Sequence, residues 1–277
     1  MKRYYYLAFL SSLVIGFFFL HLSSSAQENK QLEKFDIGLS YYHPSFPSGA
    51  QSSFSGNFEI FAAFPVSNNM KVYGILPLSS YSMKSLYLGD KSFSGIGNFI
   101  VGLKYLFGKK DNFLFKGGIA LPTIGDNYDV KIANGFSYIS RVYDLEKFTS
   151  DITSLFAEFQ GKHIFEGNFF IGGGTGLRLL IWTGPGSHDA ELFLPFNIFL
   201  GYEKTELIKF IAAFKGIYIL TNENSDFGDN VMDLLQLKIS YPGQTIEPAL
   251  IIELPINDNY KKVLNNNIGF SILIRIM

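Results

Sequence analysis

Few residues in this chain of 277 can do chemistry: four His, no Cys, 23 Lys and Arg, and 24 Asp and Glu. Without Cys there is no disulfide scaffold, thiolate metal site or cysteine nucleophile. Hydrolysis would need a nucleophile, a His and an orienting group within hydrogen-bond reach. Ser187, His188 and Asp189 have those types, but as adjacent residues beside Gly184-Pro185-Gly186 they are badly placed to converge. His43 and His163 show no two-His metal spacing. The run Gly172 to Gly176 looks like a phosphate loop but lacks the Lys and precedes no helix; glycines there suit a bend or close packing in a strand. The chemistry therefore points away from an enzyme, a metal and a cofactor. A formal net charge of −1 removes the basic footprint that nucleic acid would need.

What remains is charge placed by strand parity. Lys209 and Lys215 are six residues apart, Glu247 and Glu253 six, and Glu191 and Glu203 twelve. Even spacing puts both members of each pair on one face of a strand. Extending that phasing along the chain gathers Lys71, Lys104, Lys116, Arg178, Lys209, Lys215, Lys238 and Arg275 with Asp36, Glu59, Glu158, Glu247 and Glu253 on one face. The opposite face is apolar. If the apolar face meets lipid, each Lys or Arg turned outward at the midplane would cost about 2–4 kcal/mol. The thirteen charges are therefore candidates to line an enclosed lumen.

The elements that must position them are strands. Hydrophobic residues make up 47% of the chain and aromatics 17%, with 29 Phe and 16 Tyr. Charged residues are only 17%, against roughly 25% in a soluble domain. Phe99, Val101, Leu103, Tyr105 and Phe107 alternate with Asn98, Ile100, Gly102, Lys104 and Leu106. Ile268, Phe270, Ile272, Ile274 and Ile276 repeat the pattern near the C-terminus. Twelve such segments are expected: 34–43, 54–64, 70–80, 95–107, 113–122, 151–161, 167–182, 191–203, 207–220, 232–241, 245–257 and 267–277. Their connections alternate. Pro65–Asn69, Gly108–Asn112, Lys162–Glu166, Lys204–Glu206 and Pro242–Gln244 are short. His43–Ser53, Tyr81–Ser94, Thr123–Ser150, Thr183–Ala190, Thr221–Val231 and Asp258–Asn266 are longer. Short periplasmic turns and longer outer loops are the rhythm of an outer-membrane barrel.

Residues 1–26 read as a secretory signal peptide: Lys2 and Arg3, a mainly apolar run to Leu22, then Ser24-Ser25-Ala26. Residues 27–277 are then one barrel domain. No later run approaches the roughly 20 apolar residues of a spanning helix. In hydrocarbon only helices and closed barrels satisfy every backbone group. The expectation is an all-β protein: a closed antiparallel transmembrane barrel of about twelve strands in a bacterial outer membrane, with Tyr41, Phe64, Tyr105, Phe107, Phe159, Tyr202, Tyr218 and Tyr241 in aromatic girdles. Its partners would be membrane lipid and a small-molecule solute; oligomeric state stays open.

Two long loops are expected to matter. Thr123–Ser150 carries Tyr128, Phe136, Tyr138, Tyr143 and Phe148 with Asp126, Asp129, Arg141, Asp144 and Glu146, an aromatic density unusual for a wet loop. It is a candidate to fold over or into the mouth and select what passes. Tyr81–Ser94, with Met83, Leu86, Tyr87, Leu88 and Phe93, is expected as a second apolar loop beside it.

Leu76-Pro77-Leu78, Gly95-Ile96-Gly97-Asn98, Gly102-Leu103-Lys104-Tyr105 and Ala120-Leu121-Pro122-Thr123-Ile124-Gly125-Asp126 carry a resemblance. Over residues 54–126 the chain resembles the outer-membrane transporter-like barrels associated with the meta-pathway of phenol degradation. That family often has an acidic residue where Asn98 stands. The resemblance implies passive uptake of small, often hydrophobic compounds. The alternative is a non-conducting barrel that stabilises the envelope or binds a partner.

Overall fold

The computed structural model describes residues 34–47, 55–85, 89–108, 112–184, 190–221 and 230–276. The expected signal peptide and His188 lie outside them. Among these residues the alternating segments form thirteen strands: β1 (Phe35–Ser45), β2 (Gly56–Ser67), β3 (Met70–Ser85), β4 (Gly89–Ile96), β5 (Phe99–Phe107), β6 (Phe113–Leu121), β7 (Ile152–Ile164), β8 (Phe169–Trp182), β9 (Glu191–Lys204), β10 (Ile208–Ile219), β11 (Val231–Ser240), β12 (Ile246–Pro255) and β13 (Asn266–Ile276).

Every pairing is antiparallel, and β1 pairs with β13 as well as with β2, so the sheet closes on itself. β4 and β5 are one stave interrupted at Gly97-Asn98: β4 pairs with the outer part of β3 and β5 with its inner part. The barrel therefore has twelve staves. This corrects one expectation. Most of Tyr81–Ser94 is not a loop, because β3 runs on to Ser85 and β4 begins at Gly89. Leu86–Leu88 lie outside the described residues. His163 likewise sits inside β7 rather than in the turn after it.

The exposed large side chains fall on one parity. Ile37 and Leu39 on β1, Ile198 and Leu200 on β9, and Ile268 and Phe270 on β13 face outward. Their neighbours Asp36, Phe199 and Asn267 are buried. Aromatic rings collect at the short-turn end: Phe107 stands 5.5 Å from Phe113 and 5.4 Å from Phe159, and Phe169 stands 5.1 Å from Tyr202. Such rings suit a membrane interface. On the inner face, Phe199 of β9 lies against Gly172 of β8, and Phe170 of β8 against Gly201 of β9. A Cβ at Gly172 would meet the Phe199 ring at 2.2 Å. Gly172 and Gly201 are thus seats for inward rings.

Candidate functional site: a lumen filled by its longest loop

The segment between β6 and β7 folds into the barrel. It forms α1 (Tyr128–Ser140), capped by the Asn127 side chain on the Asp129 N–H, and then a 3-10 stretch, Val142–Lys147. The helix turns Ala133, Asn134, Ser137 and Ser140 to the wall, all buried. This spacing of small side chains lets the helix approach closely. A Cβ on Gly95 of β4 would meet Val130 at 2.7 Å.

The contacts there are polar. Ser79 and Ser137 hydroxyls lie 2.6 Å apart, and the Ser79 hydroxyl also donates to Asn134 Oδ1 at 3.1 Å. Tyr81 donates to Asn57 Oδ1 at 2.9 Å, and Asn57 Nδ2 donates to Ser140 at 2.8 Å. At the stave interruption, Asn98 Nδ2 donates to the carbonyls of Glu146 at 2.9 Å and Thr149 at 2.7 Å, while its backbone N–H donates to Lys147 O at 2.7 Å. A Cβ at Gly97 would meet that same Lys147 carbonyl at 2.5 Å. Thr123 closes the seat: its hydroxyl donates to Gly97 O at 2.7 Å and accepts from Phe99 N at 2.8 Å. The motifs Gly95-Ile96-Gly97-Asn98 and Ala120 to Asp126 thus hold the inserted segment at both of its ends.

Below α1 the contacts are ionic. Lys147 Nζ lies 2.9 Å from Glu59 of β2. Arg141 reaches Glu253 of β12 at 3.0 Å and Glu59 at 3.8 Å, pairs with Asp144, and lies 3.7 Å over the Tyr42 ring. Glu253 also accepts from Gln236 at 2.8 Å and Asn267 at 2.9 Å. Arg178 of β8, only 3% exposed, joins Glu146 at 2.7 Å to Glu158 of β7 and the Tyr143 carbonyl. Burial alone would raise Asp144; Lys147 and Arg141 override it and hold the carboxyl well below the usual range. Burial pushes Glu146 up to about 7, with Arg178 opposing the rise and Asp144 adding to it. An apolar cluster completes the filling, with Val142 and Leu145 against Ile152, Leu180, Phe193, Ile217 and Leu234 of the wall and Tyr260 and Leu264 of the β12–β13 loop.

The remaining wall charges form smaller groups. Asp36 accepts from Lys71 at 2.7 Å, Glu203 pairs with Lys209 at 2.9 Å, and Glu247 pairs with Arg275 at 2.5 Å. Lys104 lies 4.3 Å over Phe61, and Lys215 lies 5.2 Å over Tyr143. Lys104, Lys116, Lys215 and Lys238 have no carboxylate at ion-pair distance among the described residues. The structure thus brings together Glu59, Glu158, Arg178 and Glu253 through the inserted segment and leaves the other nine around it. The sequence marks Arg141, Asp144 and Glu146 only as loop charges and Asn98 only as a motif position, and it does not single out Asn57, Ser79 or Ser137. The signal for Ser137 lies in the small-residue spacing of 133, 137 and 140, which helix periodicity exposes.

Among the described residues, two gaps beside the filling stand out. One, beside Tyr143, Lys116, Glu158 and Asn197, holds about 10 Å³, room for roughly one water. The other opens at the outer mouth between the inserted segment and the wall. It measures about 360 Å³ and is lined by Tyr138, Phe148, Leu180, Trp182 and Phe193, with Lys131 and Glu191 at its edge. His43 is spent on structure, its Nδ1 lying 2.6 Å from Ser55 O.

No family model and no curated protein matches the chain. Among solved structures it is similar to an outer-membrane channel from Pseudomonas putida F1, at 9% identity and a TM-score of 0.60, covering 92% of this chain and 100% of that one. It is also similar to the NanC porin, at 7% identity and a TM-score of 0.52, covering 87% and 100%. The fold is that of an outer-membrane β-barrel. At these identities the likeness is one of architecture, so the solute must be argued from this chain's own residues.

Proposed function

We propose that this protein is a passive outer-membrane channel for small solutes, closed at rest by residues 122–151 and exported by a signal peptide at 1–26. The carrying observation is that the ring of strand pairings closes without the inserted segment. The wall does not need the filling in order to be a wall. The filling is attached by an apolar cluster around Val142 and Leu145 and by many hydrogen bonds and ion pairs, and the polar contacts can exchange with water. The thirteen wall charges would line the path once it moves. The outer pocket supports uptake of small hydrophobic or aromatic solutes, because its volume and aromatic lining match an ordinary small-molecule site. That agrees with what the resemblance to the phenol-pathway barrels implies. No catalytic role is proposed.

The dense ion pairing of the filled lumen favours a second reading, a non-conducting barrel. Replacing 123–150 by a short Gly-Ser linker between β6 and β7 separates the two, since those strands are already neighbours. In planar bilayers the wild type should open intermittently and the linker variant should conduct continuously. A silent wild type beside a conducting linker variant would leave only the non-conducting reading.

A further inference from the structure

Strand register places Lys71 of β3 opposite Lys104 of β5, and Lys104 opposite Lys116 of β6. Three lysines therefore stand side by side on the inner face, close to the short-turn end. Like charges directly opposite on neighbouring strands are destabilising. Elsewhere the same wall interleaves signs, as Arg275 with Glu247 and Lys209 with Glu203 demonstrate. Here only Lys71 is neutralised, by Asp36. Lys104 instead rests 4.3 Å over Phe61 and 5.1 Å over Tyr73, which holds the ammonium without cancelling its charge. Lys116 faces Glu158 across the next pairing, but Glu158 is committed to Arg178. Lys116 also borders the gap left beneath the inserted segment.

Two adjacent uncancelled ammonium groups, flanked by aromatic faces and a small polar gap, make an anion seat with an apolar margin. We propose that Lys104 and Lys116 bind the carboxylate of a small organic anion. As a step in transport this rests on the channel reading; as a binding site it does not. Strand neighbours lie about 4.5–5.5 Å apart, so both ammonium groups can reach one carboxylate. The outer pocket would accept the hydrocarbon part of such a solute, and the lysine row would draw its charged end toward the periplasm.

The test is calorimetric titration of the full chain, folded in neutral detergent at low salt, with benzoate and with its uncharged analogue benzamide. Benzoate is expected to bind at least tenfold more tightly. The preference should shrink in high salt, and Lys104→Gln with Lys116→Gln should abolish it. Lys116→Gln alone provides a milder variant should the double one fail to fold. Equal binding of the two probes, no binding of either, or a preference that survives the folded variants would overturn the site. Bilayer current on the same preparations separates the two ideas: a silent protein that prefers benzoate keeps the site and loses the channel. A conducting protein indifferent to charge keeps the channel and loses the site.

Discussion

At the scale of single residues, the account turns on side chains that touch the inserted segment's backbone. Asn98 is the clearest, because its amide donates to two carbonyls from a fully buried position. A carboxylate there would face those carbonyls with no hydrogen to offer. Asn98→Asp should weaken docking by at least about 1–3 kcal/mol, the cost of a lost buried hydrogen bond. Hydrogen exchange over 142–150 should then accelerate while the strands stay protected; unchanged exchange would deny Asn98 this role. Glu146 adds a pH dependence. Its carboxyl rises from 4.5 to about 7 in the docked state. The contribution of Glu146 to docking is therefore fullest below 4.5 and is lost as pH rises through about 7. Exchange over 142–150, corrected for the intrinsic pH dependence of amide exchange in an unstructured peptide of the same sequence, should quicken between about pH 4.5 and 7, and Glu146→Gln should flatten that corrected change. A wild type flat across the range would contradict it.

At the scale of elements, α1 and the β3–β4 pair were the least legible. Alternation reveals a strand only where its two faces meet different surroundings. The wall around Lys209 and Lys215 does, and its parity is readable in the sequence alone. Past Ser80 the run Tyr81-Ser82-Met83-Lys84-Ser85 loses the clean apolar alternation, so it reads as loop although the backbone stays paired to Ser85. Helix α1 hid for a related reason. Its buried face is Ala, Asn and Ser, which pack by closeness and hydrogen bonds rather than by bulk. The aromatic density of 123–150 indicated that the segment was not wet, but not where it docked. Closeness gives a direct test. Ser137→Phe would force a ring into a site 2.6 Å from Ser79 Oγ, at a cost of about 1–3 kcal/mol for overpacking. Added protease should then cut within 123–150 in the folded barrel. Continued resistance would place α1 elsewhere.

At the scale of the whole molecule, the chain is inverted relative to a soluble protein. Its charges are enclosed and its large apolar side chains are bare, Ile198 at 61% and Leu200 at 58% exposure among them. That inversion is economical only in lipid. Ile198→Arg, near the middle of β9, should destabilise the barrel by about 2–4 kcal/mol in vesicles, read from urea unfolding. An effect near zero would mean that this face does not meet hydrocarbon. On the proposed reading, the closed ring and the filled lumen divide the labour: the wall supplies stability and the insert supplies control.

That division is tested most directly by tethering the insert. The chain has no Cys, so Ser79→Cys with Ser137→Cys gives a single possible disulfide where the two hydroxyls now lie 2.6 Å apart. Bilayer current from that variant should be absent when oxidised and should appear, at or above the wild-type level, after a reductant is added. Equal current in both states, or none in either, would contradict a movable filling in a preformed pore.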